Sequence, residues 1–524
     1  MRAAGGATGG GRVGAEAFRP RAALLATILG SAMVFLDGTV VNVALPRIGR
    51  ELPAHLLGVL EAQTYVYNAY LLTLASLLVL AGAISDRFGR RRIFLLGVIG
   101  FAAASVLCGL AVNMEMLIVS RMLQGAAGAL LVPGSLAILR GQFQRDAQGR
   151  AIGMWTMGTS AVTVLGPLLG GILVDVASWR LVFLINVPLA AAAVVAARAG
   201  VAETPHGRGQ RLDWAGAALV ALACGGLAFG AIYGEERGWR GPGGVALVTL
   251  GACAVVGLAL ELRRSSHPLV PRDLFRARPF TVINISTFLI YGGLYSLFYW
   301  IPLFSQGVLG YTATAAGAIG LPSSVALILL STAAGRWAAR RGPRFFLTVG
   351  PLLMALGASY LALVPSTSRA WRLGFGQLNS FIPPTDFMLQ ILPGIVTYGV
   401  GIGLMVAPLT AALMASVSEA HAGVASAVNN AVARVGPQLI QAGLFSAVTA
   451  VFVAQLGVRG LGLSPMVPPA QVSLRAAAAS AATSGFHLVA LICAVLFILG
   501  AAVNLIGLRG APERLPAPVP VGQG

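Results

Sequence analysis

Fourteen times along its 524 residues this chain runs for about 20 positions or more with almost nothing but apolar side chains, the length an α-helix needs to cross the hydrocarbon core of a bilayer. The runs cover 22–46, 62–84, 93–112, 114–139, 151–176, 181–201, 213–233, 243–262, 280–308, 313–338, 344–365, 387–415, 423–455 and 486–508. Only 10% of the residues are charged, against about 25% in a typical soluble domain. No water inside a bilayer satisfies backbone groups, so runs of this length specify helices. The expectation is an all-α membrane protein with fourteen transmembrane helices.

The net charge of +19 comes from 36 basic residues, all arginine, against 17 acidic ones. Such an excess suggests a nucleic-acid partner, but the arginines gather between the apolar runs, which is the pattern of membrane topology. With the N-terminus inside, 25 of the 36 fall in cytoplasmic segments or at the cytoplasmic ends of runs and 9 outside, with Arg121 and Arg434 deep inside runs. Both termini are therefore expected in the cytoplasm. Arginine codons are GC-richer than lysine codons, so the composition points to the inner membrane of a GC-rich bacterium. Cys108, Cys224, Cys253 and Cys493 lie within runs and lack CxxC spacing, which reads as small buried hydrophobes and not as a metal site or disulfide framework. The first run follows a Gly-, Ala- and Arg-rich stretch without a clean cleavage site and is expected to be retained as a helix.

The chain echoes itself. GAISDRFGRRRIF (82–94) after the second run matches GRWAARRGPRFF (335–346) after the tenth, pairing Gly82 with Gly335, Arg87 with Arg340 and Gly89 with Gly342. GALLVPGSLAIL (128–139) resembles GLMVAPLTAALM (403–414), and Gly166-Pro167 answers Gly436-Pro437. Repeats of this kind build membrane proteins with two pseudo-symmetric halves. Runs one to six recur as nine to fourteen, giving two six-helix pseudo-repeat bundles plus a two-helix insertion. The expected division is a cytoplasmic tail over 1–21, a first bundle over 22–212, the insertion over 213–264, a second bundle over 265–508 and a disordered, proline-rich tail over 509–524. Two outer loops are long, 366–386 and 456–485. The first mixes aromatic and polar residues and reads either as a connector or as a lid on the membrane surface.

Five stretches in order carry a family resemblance: LDGTVVNVALP, GAISDRFGRRR, RMLQGAAGALLVPG, GTSAVTVLGPLLGGILVD and WRLVFLINVPLA. The series resembles the signatures of the major facilitator superfamily, and fourteen runs resemble its drug:proton antiporter branch. The resemblance implies two six-helix bundles around a central cavity that opens alternately to each side, with a proton gradient as energy source and no cofactor. Gly158, Gly166, Pro167, Gly170 and Gly171 look like a motif associated with exporters. Small residues let helices approach and proline permits bending, and tight packing alone is the other reading. In GAISDRFGRRR the resemblance implies a cytoplasmic gate of Gly82, Asp86, Arg87, Gly89, Arg90 and Arg91, with Asp86 bridging to the other bundle at a helix N-terminus. Topogenic charge explains the arginines equally. Ala339 stands at the position of Asp86 in the second copy, so the latch is expected to be one-sided.

Asp37 lies well inside the first run, about 15 residues from its start, or roughly 22 Å along a helix. Arg121 lies about 7 residues from the outer end of the fourth run, roughly 20 Å from the inner face of a core about 30 Å thick. The two charges share a depth. A carboxylate in hydrocarbon costs roughly 3 kcal/mol on insertion scales and marks a relay or pathway by default. Two readings stand: proton coupling through Asp37 and Arg121, or a structural role in an ion pair or in bonds to Thr39 and Asn42. The resemblance favours the first.

Arg434, about 11 residues into the thirteenth run and a turn beyond Asn429 and Asn430, is expected to face Asp37 and Arg121 from the other half. Candidate cavity residues are Gln63, Tyr67, Asn68 and Gln124 in the first half and Asn284, Tyr291, Tyr295, Tyr299, Trp300, Asn430 and Arg434 in the second. The tyrosine stripe also reads as packing. With one acidic group such a cavity suits lipophilic monocations or neutral amphiphiles. The expected protein is a monomeric, proton-coupled exporter of lipophilic small molecules such as drugs or antibiotics, in contact with membrane lipids. A lipid or specialised-metabolite exporter using 366–386 is the rival, and a transport-inactive receptor a more distant one. No HExxH, GxSxG or phosphate-loop constellation occurs, so neither an enzyme nor a metal site is expected. His487 is expected near the outer end of the last run, at the interface.

Overall fold

The computed structural model describes residues 19–56, 58–143, 145–203, 214–236, 241–264, 273–374, 376–417, 422–456, 465–469 and 471–509. Of the expected tails over 1–21 and 509–524, residues 1–18 and 510–524 lie outside the described residues, and Pro20 and Arg21 already belong to the first helix. The chain forms α1 (Pro20–Glu51), α2 (Val59–Phe88), α3 (Arg90–Gly109), α4 (Met114–Gln142), α5 (Arg145–Val176), a short α6 (Leu181–Leu184), α7 (Asn186–Gly200), α8 (Trp214–Glu236), α9 (Pro242–Arg264), a short α10 (Asp273–Arg276), α11 (Arg278–Gly307), a short α12 (Ala313–Ala318), α13 (Leu321–Arg341), α14 (Pro343–Leu361), α15 (Leu392–Ala415), α16 (Ala422–Leu456) and α17 (Arg475–Gly507).

Local chemistry sets many of these boundaries. Proline stands in the first two positions of α1, α11, α13, α14 and α15, where its missing N–H costs no helical bond. Two expected runs are broken. Pro188 follows the last residue of α6, Leu184, by four positions, and Pro322 follows the last residue of α12, Ala318, by four. Each proline withholds the hydrogen bond that carbonyl would have received and crowds it, so α6–α7 and α12–α13 are interrupted spans. α17 begins at Arg475 and not near 486, which shortens the expected 456–485 loop. The stretch RAAAASAATSG is rich in alanine, the strongest helix former. His487 consequently lies inside α17, its Nε2 2.8 Å from the Val364 carbonyl, and not at an interfacial end. Cys108 and Cys493 are buried, but Cys253 is exposed: α9 turns much of its apolar surface outward.

Twelve spans among the described residues are long and apolar enough to cross a membrane. α2 and α8, helices of 30 and 23 residues on the second and seventh expected runs, are not among those twelve. The expected total of fourteen is therefore not reached.

The helices pack in two matching sets. α1 packs on α5 and α7, α2 on α4, and α3 on α4 and α7; α11 packs on α16 and α17, α13 on α15, and α14 on α15 and α17. α8 and α9 pair with each other, and α8 rests on α2 and α16. The sequence repeat is visible in the backbone as well. Gly89 between α2 and α3 has φ +99°, and Gly342 between α13 and α14 has φ +80°. Both reversals use a conformation that a Cβ disfavours. Gly89→Ala and Gly342→Ala are each expected to cost about 1–3 kcal/mol, read as a lowered melting temperature of the purified protein; an unchanged melting temperature would remove the argument for glycine there.

Candidate functional site

Among the largest fully buried side chains, beside Trp179 and Trp300, is Arg121. A guanidinium so placed needs acceptors, and four helices supply its surroundings. Its Nη1 donates to Asp37 Oδ2 on α1 and to Gln124 Oε1 at 2.7 Å, and its Nε donates to the Val66 carbonyl on α2 at 3.0 Å. The Tyr70 ring centroid lies 4.2 Å from its Cζ and that of Phe183 5.6 Å, so two aromatic faces share the cation. Asp37, 1% exposed, also accepts from Gln124 Nε2 at 2.8 Å and from Asn186 Nδ2 of α7 at 3.5 Å. Gln124 Nε2 donates in addition to Ser105 Oγ on α3 at 2.8 Å. Arg121 Nη2 has no partner among the described residues.

The structure thus brings Asp37 and Arg121 together and adds Gln124, expected in the cavity wall, to the same cluster. Thr39 does not serve Asp37; its hydroxyl donates to the Leu36 carbonyl at 2.9 Å. Asn42 donates to the Phe298 carbonyl on α11. Asn186 was not legible as a partner. Its signal was a lone amide in the apolar run LVFLINVPLA.

The glycines of α5 are spaced for contact on two sides. A Cβ at Gly166 would lie 2.1 Å from Thr39 Oγ1, and one at Gly170 2.8 Å from the Val40 carbonyl, both on α1. A Cβ at Gly171 would lie 2.4 Å from the Ala313 carbonyl and 2.5 Å from Thr314 Cα, and one at Gly317 would lie 2.2 Å from the Pro167 carbonyl. Gly158 faces Ile28 at 3.0 Å. α5 and α12, from different halves, therefore touch through backbone. Beside this contact Asp175 accepts from Ala313 N at 3.2 Å, Thr314 N at 2.6 Å and Thr314 Oγ1 at 2.7 Å. Sequence reading missed Asp175 because its partners lie in the other half of the chain. At the same end Thr64 Oγ1 and Tyr299 Oη are 2.9 Å apart, and Gln306 Nε2 donates to the Val43 carbonyl at 3.0 Å. The halves are closed on each other at this far end, away from the start of α1 and the finish of α17.

The 366–386 segment lies beside that closure and binds within its own half. The Trp371 carbonyl accepts from Thr312 N at 3.2 Å, and the Leu373 carbonyl accepts from Thr312 Oγ1 at 3.2 Å. Trp371 Nε1 donates to the Ser380 carbonyl at 2.9 Å, and its ring lies 5.0 Å from Phe387. It is a folded cap seated on the start of α12.

At the near end two arginines of the expected gate reach carbonyls of their own half: Arg90 Nη1 donates to the Ala137 carbonyl at 3.0 Å and Arg91 Nη2 to the Arg198 carbonyl at 3.2 Å. The neighbouring Arg92 lies 3.7 Å from Glu203. Arg87 is exposed over the Phe88 ring, and Gly82 is half-buried, with room for a Cβ 3.8 Å from Pro133. The Asp86 side chain lies outside the described residues.

The remaining cavity candidates divide. Gln63 Nε2 donates to the Leu45 carbonyl at 2.7 Å and so ties α2 to α1, while its Oε1 has no partner among the described residues. Asn284 Nδ2 donates to the Phe280 carbonyl at 2.8 Å, while Asn429 Nδ2 donates to Asn284 Oδ1 at 3.2 Å and Thr287 Oγ1 at 2.9 Å. Tyr291 and Tyr295 rings are 6.2 Å apart, and Tyr67 and Tyr299 rings meet across the halves at 5.2 Å. Trp300 is fully buried. Asn430 is exposed and Arg434 half-buried; Tyr67 and Tyr70 lie within electrostatic range of both Arg121 and Arg434.

A membrane-embedded, two-fold helical body with a buried charge cluster at its middle is the architecture of a transporter. Residues 27–439 match the Major Facilitator Superfamily model, and the chain belongs to that family of transporters, which are not enzymes. It is 33% identical over 417 residues to the multidrug resistance protein Stp of Mycobacterium tuberculosis, covering 79% of this chain and 73% of that one. It is 32% identical over 417 residues to the methylenomycin A resistance protein of Bacillus subtilis, covering 79% and 84%, and 33% identical over 426 residues to the puromycin resistance protein pur8 of Streptomyces alboniger, covering 79% of each. Its fold resembles a crystal structure of a bacterial homologue of the human lysosomal transporter Spinster in an inward-facing, unoccupied conformation, with TM-score 0.65, 19% identity and coverage of 94% and 97%.

Proposed function

We propose that this protein is a drug:proton antiporter of the inner membrane, exporting lipophilic antibiotic-like compounds by alternating access. The single observation that carries the reading is the carboxylate of Asp37, buried at mid-span and matched by Arg121. A proton arriving at Asp37 takes a carboxylate lone pair and cancels the charge that accepts from Arg121, and a guanidinium, which keeps its charge, is left without a counter-charge in a medium of low dielectric. Admitting water from one side relieves it. Protonation and conformation are thereby linked, and a substrate that favours one conformation is linked to both.

The relatives named for resistance to methylenomycin A and puromycin support a drug-like cargo. In this reading α2 and α8 also cross the membrane, giving fourteen spans: two six-helix bundles over 22–212 and 265–508 with α8 and α9 inserted over 213–264, and both termini in the cytoplasm. The far end, closed by Asp175 and Gly171, is then the outer side. The test is dye movement in reconstituted vesicles under an imposed pH gradient. Native protein is expected to drive an ethidium-type or Hoechst-type dye uphill, while Asp37→Asn keeps only downhill exchange. Uphill movement retained by Asp37→Asn would make the pair structural.

A further inference from the structure

Among the described residues, the one acidic group at mid-span is already occupied. Asp37 takes donors from Arg121, Gln124 and Asn186, whereas Glu51, Glu61, Glu115, Asp175 and Glu261 stand close to helix ends. The described residues therefore offer a cation no free carboxylate at the centre. What it offers lies on α16. Asn430, Arg434, Gln438 and Gln441 follow at intervals of four, four and three and share one face of that helix. Gln438 is 2% exposed and Gln441 4%, yet Gln438 Oε1 and Gln441 Nε2 have no partner among the described residues. Arg434 makes no hydrogen bond or ion pair there either.

α16 packs on α2, and α2 brings the same shortage. Tyr67 Oη and both amide atoms of Asn68 lack partners among the described residues, on side chains 3% and 1% exposed. Buried polar groups are ordinarily paired, and a charged side chain at mid-membrane faces a cavity or a partner. Unmet donors and acceptors on two touching helices, around one unopposed guanidinium, describe a site built for a ligand. Resting on the export reading above, we infer that α2 and α16 form a binding site for lipophilic organic anions, with Arg434 as the charge anchor. A carboxylate or phenolate meets the guanidinium fork in the geometry that favours arginine. Tyr67 and Asn68 bond the polar edge of an aromatic frame, and Gln438 and Gln441 fix its register.

The test compares fluorescein, which is anionic, ethidium, which is cationic, and neutral Nile red, as equilibrium binding to the purified full-length protein in nanodiscs. Native protein is expected to prefer fluorescein. Arg434→Gln is expected to weaken fluorescein ten- to a hundredfold, leaving ethidium equal or tighter, and Arg434→Lys to recover part of the loss. Unchanged fluorescein binding in Arg434→Gln, an equal loss of all three dyes, or a native preference for ethidium each overturns the proposal. Should Arg434→Gln fail to elute as native protein, Gln438→Leu and Arg434→Lys carry the test, and both must weaken fluorescein selectively. Vesicle transport separates the two levels. Export of ethidium and Nile red without selective fluorescein binding sinks the anion site and leaves the exporter standing; selective fluorescein binding without movement of any dye does the reverse.

Discussion

Asp37→Ala is expected to lose about 3–5 kcal/mol of stability, more than Arg121→Met, although both break the same pair. The asymmetry follows from the two groups' chemistry. Arginine is not deprotonated in proteins, so without Asp37 its Nη1 retains only Gln124 and its Nε only the Val66 carbonyl, with charge held between the Tyr70 and Phe183 rings. A carboxylic acid left without its cation takes up a proton and becomes neutral, and Gln124 and Asn186 remain to bond it. The double variant Asp37→Leu/Arg121→Met is expected to regain most of the lost stability, because a well-packed apolar pair often matches a buried ion pair. Transport is not expected to return with it. Thermal unfolding of the three variants beside a vesicle assay checks this; equal losses for both single variants, or a double variant as unstable as Asp37→Ala, would mean that the stranded guanidinium is not what destabilises the protein.

What the sequence made legible was depth and repetition. Counting 1.5 Å per residue from opposite ends of two antiparallel helices places Asp37 and Arg121 level, and levelness is a one-dimensional property that a sequence carries. The matched motifs around Gly89 and Gly342 became two reversals with positive φ, since each motif encodes its own local backbone. Azimuth was not legible. Whether Gln124 turns toward a cavity or toward Asp37 depends on how α4 is rotated against α1 and α3, and the bond to Ser105 settles that only in three dimensions. The breaks in α6–α7 and α12–α13 were readable in principle from Pro188 and Pro322, but an apolar count passes over a proline. Asp175 shows the limit most plainly: a carboxylate at a helix C-terminus has no local reason to be there, and its reason is a helix start 138 and 139 residues away.

Gly171→Val is expected to abolish transport, with a loss of a hundredfold or more, by preventing closure of the far end. A Cβ at Gly171 would sit 2.4 Å from the Ala313 carbonyl and 2.5 Å from Thr314 Cα, and the obstructing atoms are backbone on an element pinned by Asp175 and by the Trp371 and Leu373 carbonyls. They have no rotamer by which to give way, so the helices must separate. Separation strips Thr314 of its carboxylate acceptor and opens the Gln306 and Thr64 contacts together. A cycle that has to close this end cannot complete. Gly153→Val on the same helix is the control, because nothing lies within 4 Å of a Cβ there. With Gln306→Cys as reporter in a chain whose native cysteines are serine, a membrane-impermeant maleimide added at the far side is expected to react slowly beside Gly153→Val and rapidly beside Gly171→Val. Asp175→Ala should fall between them, since it removes the hydrogen bonds but adds no obstruction. Equal labelling and equal transport for the two valine variants would mean that the backbone contact of α5 with α12 is incidental to the cycle.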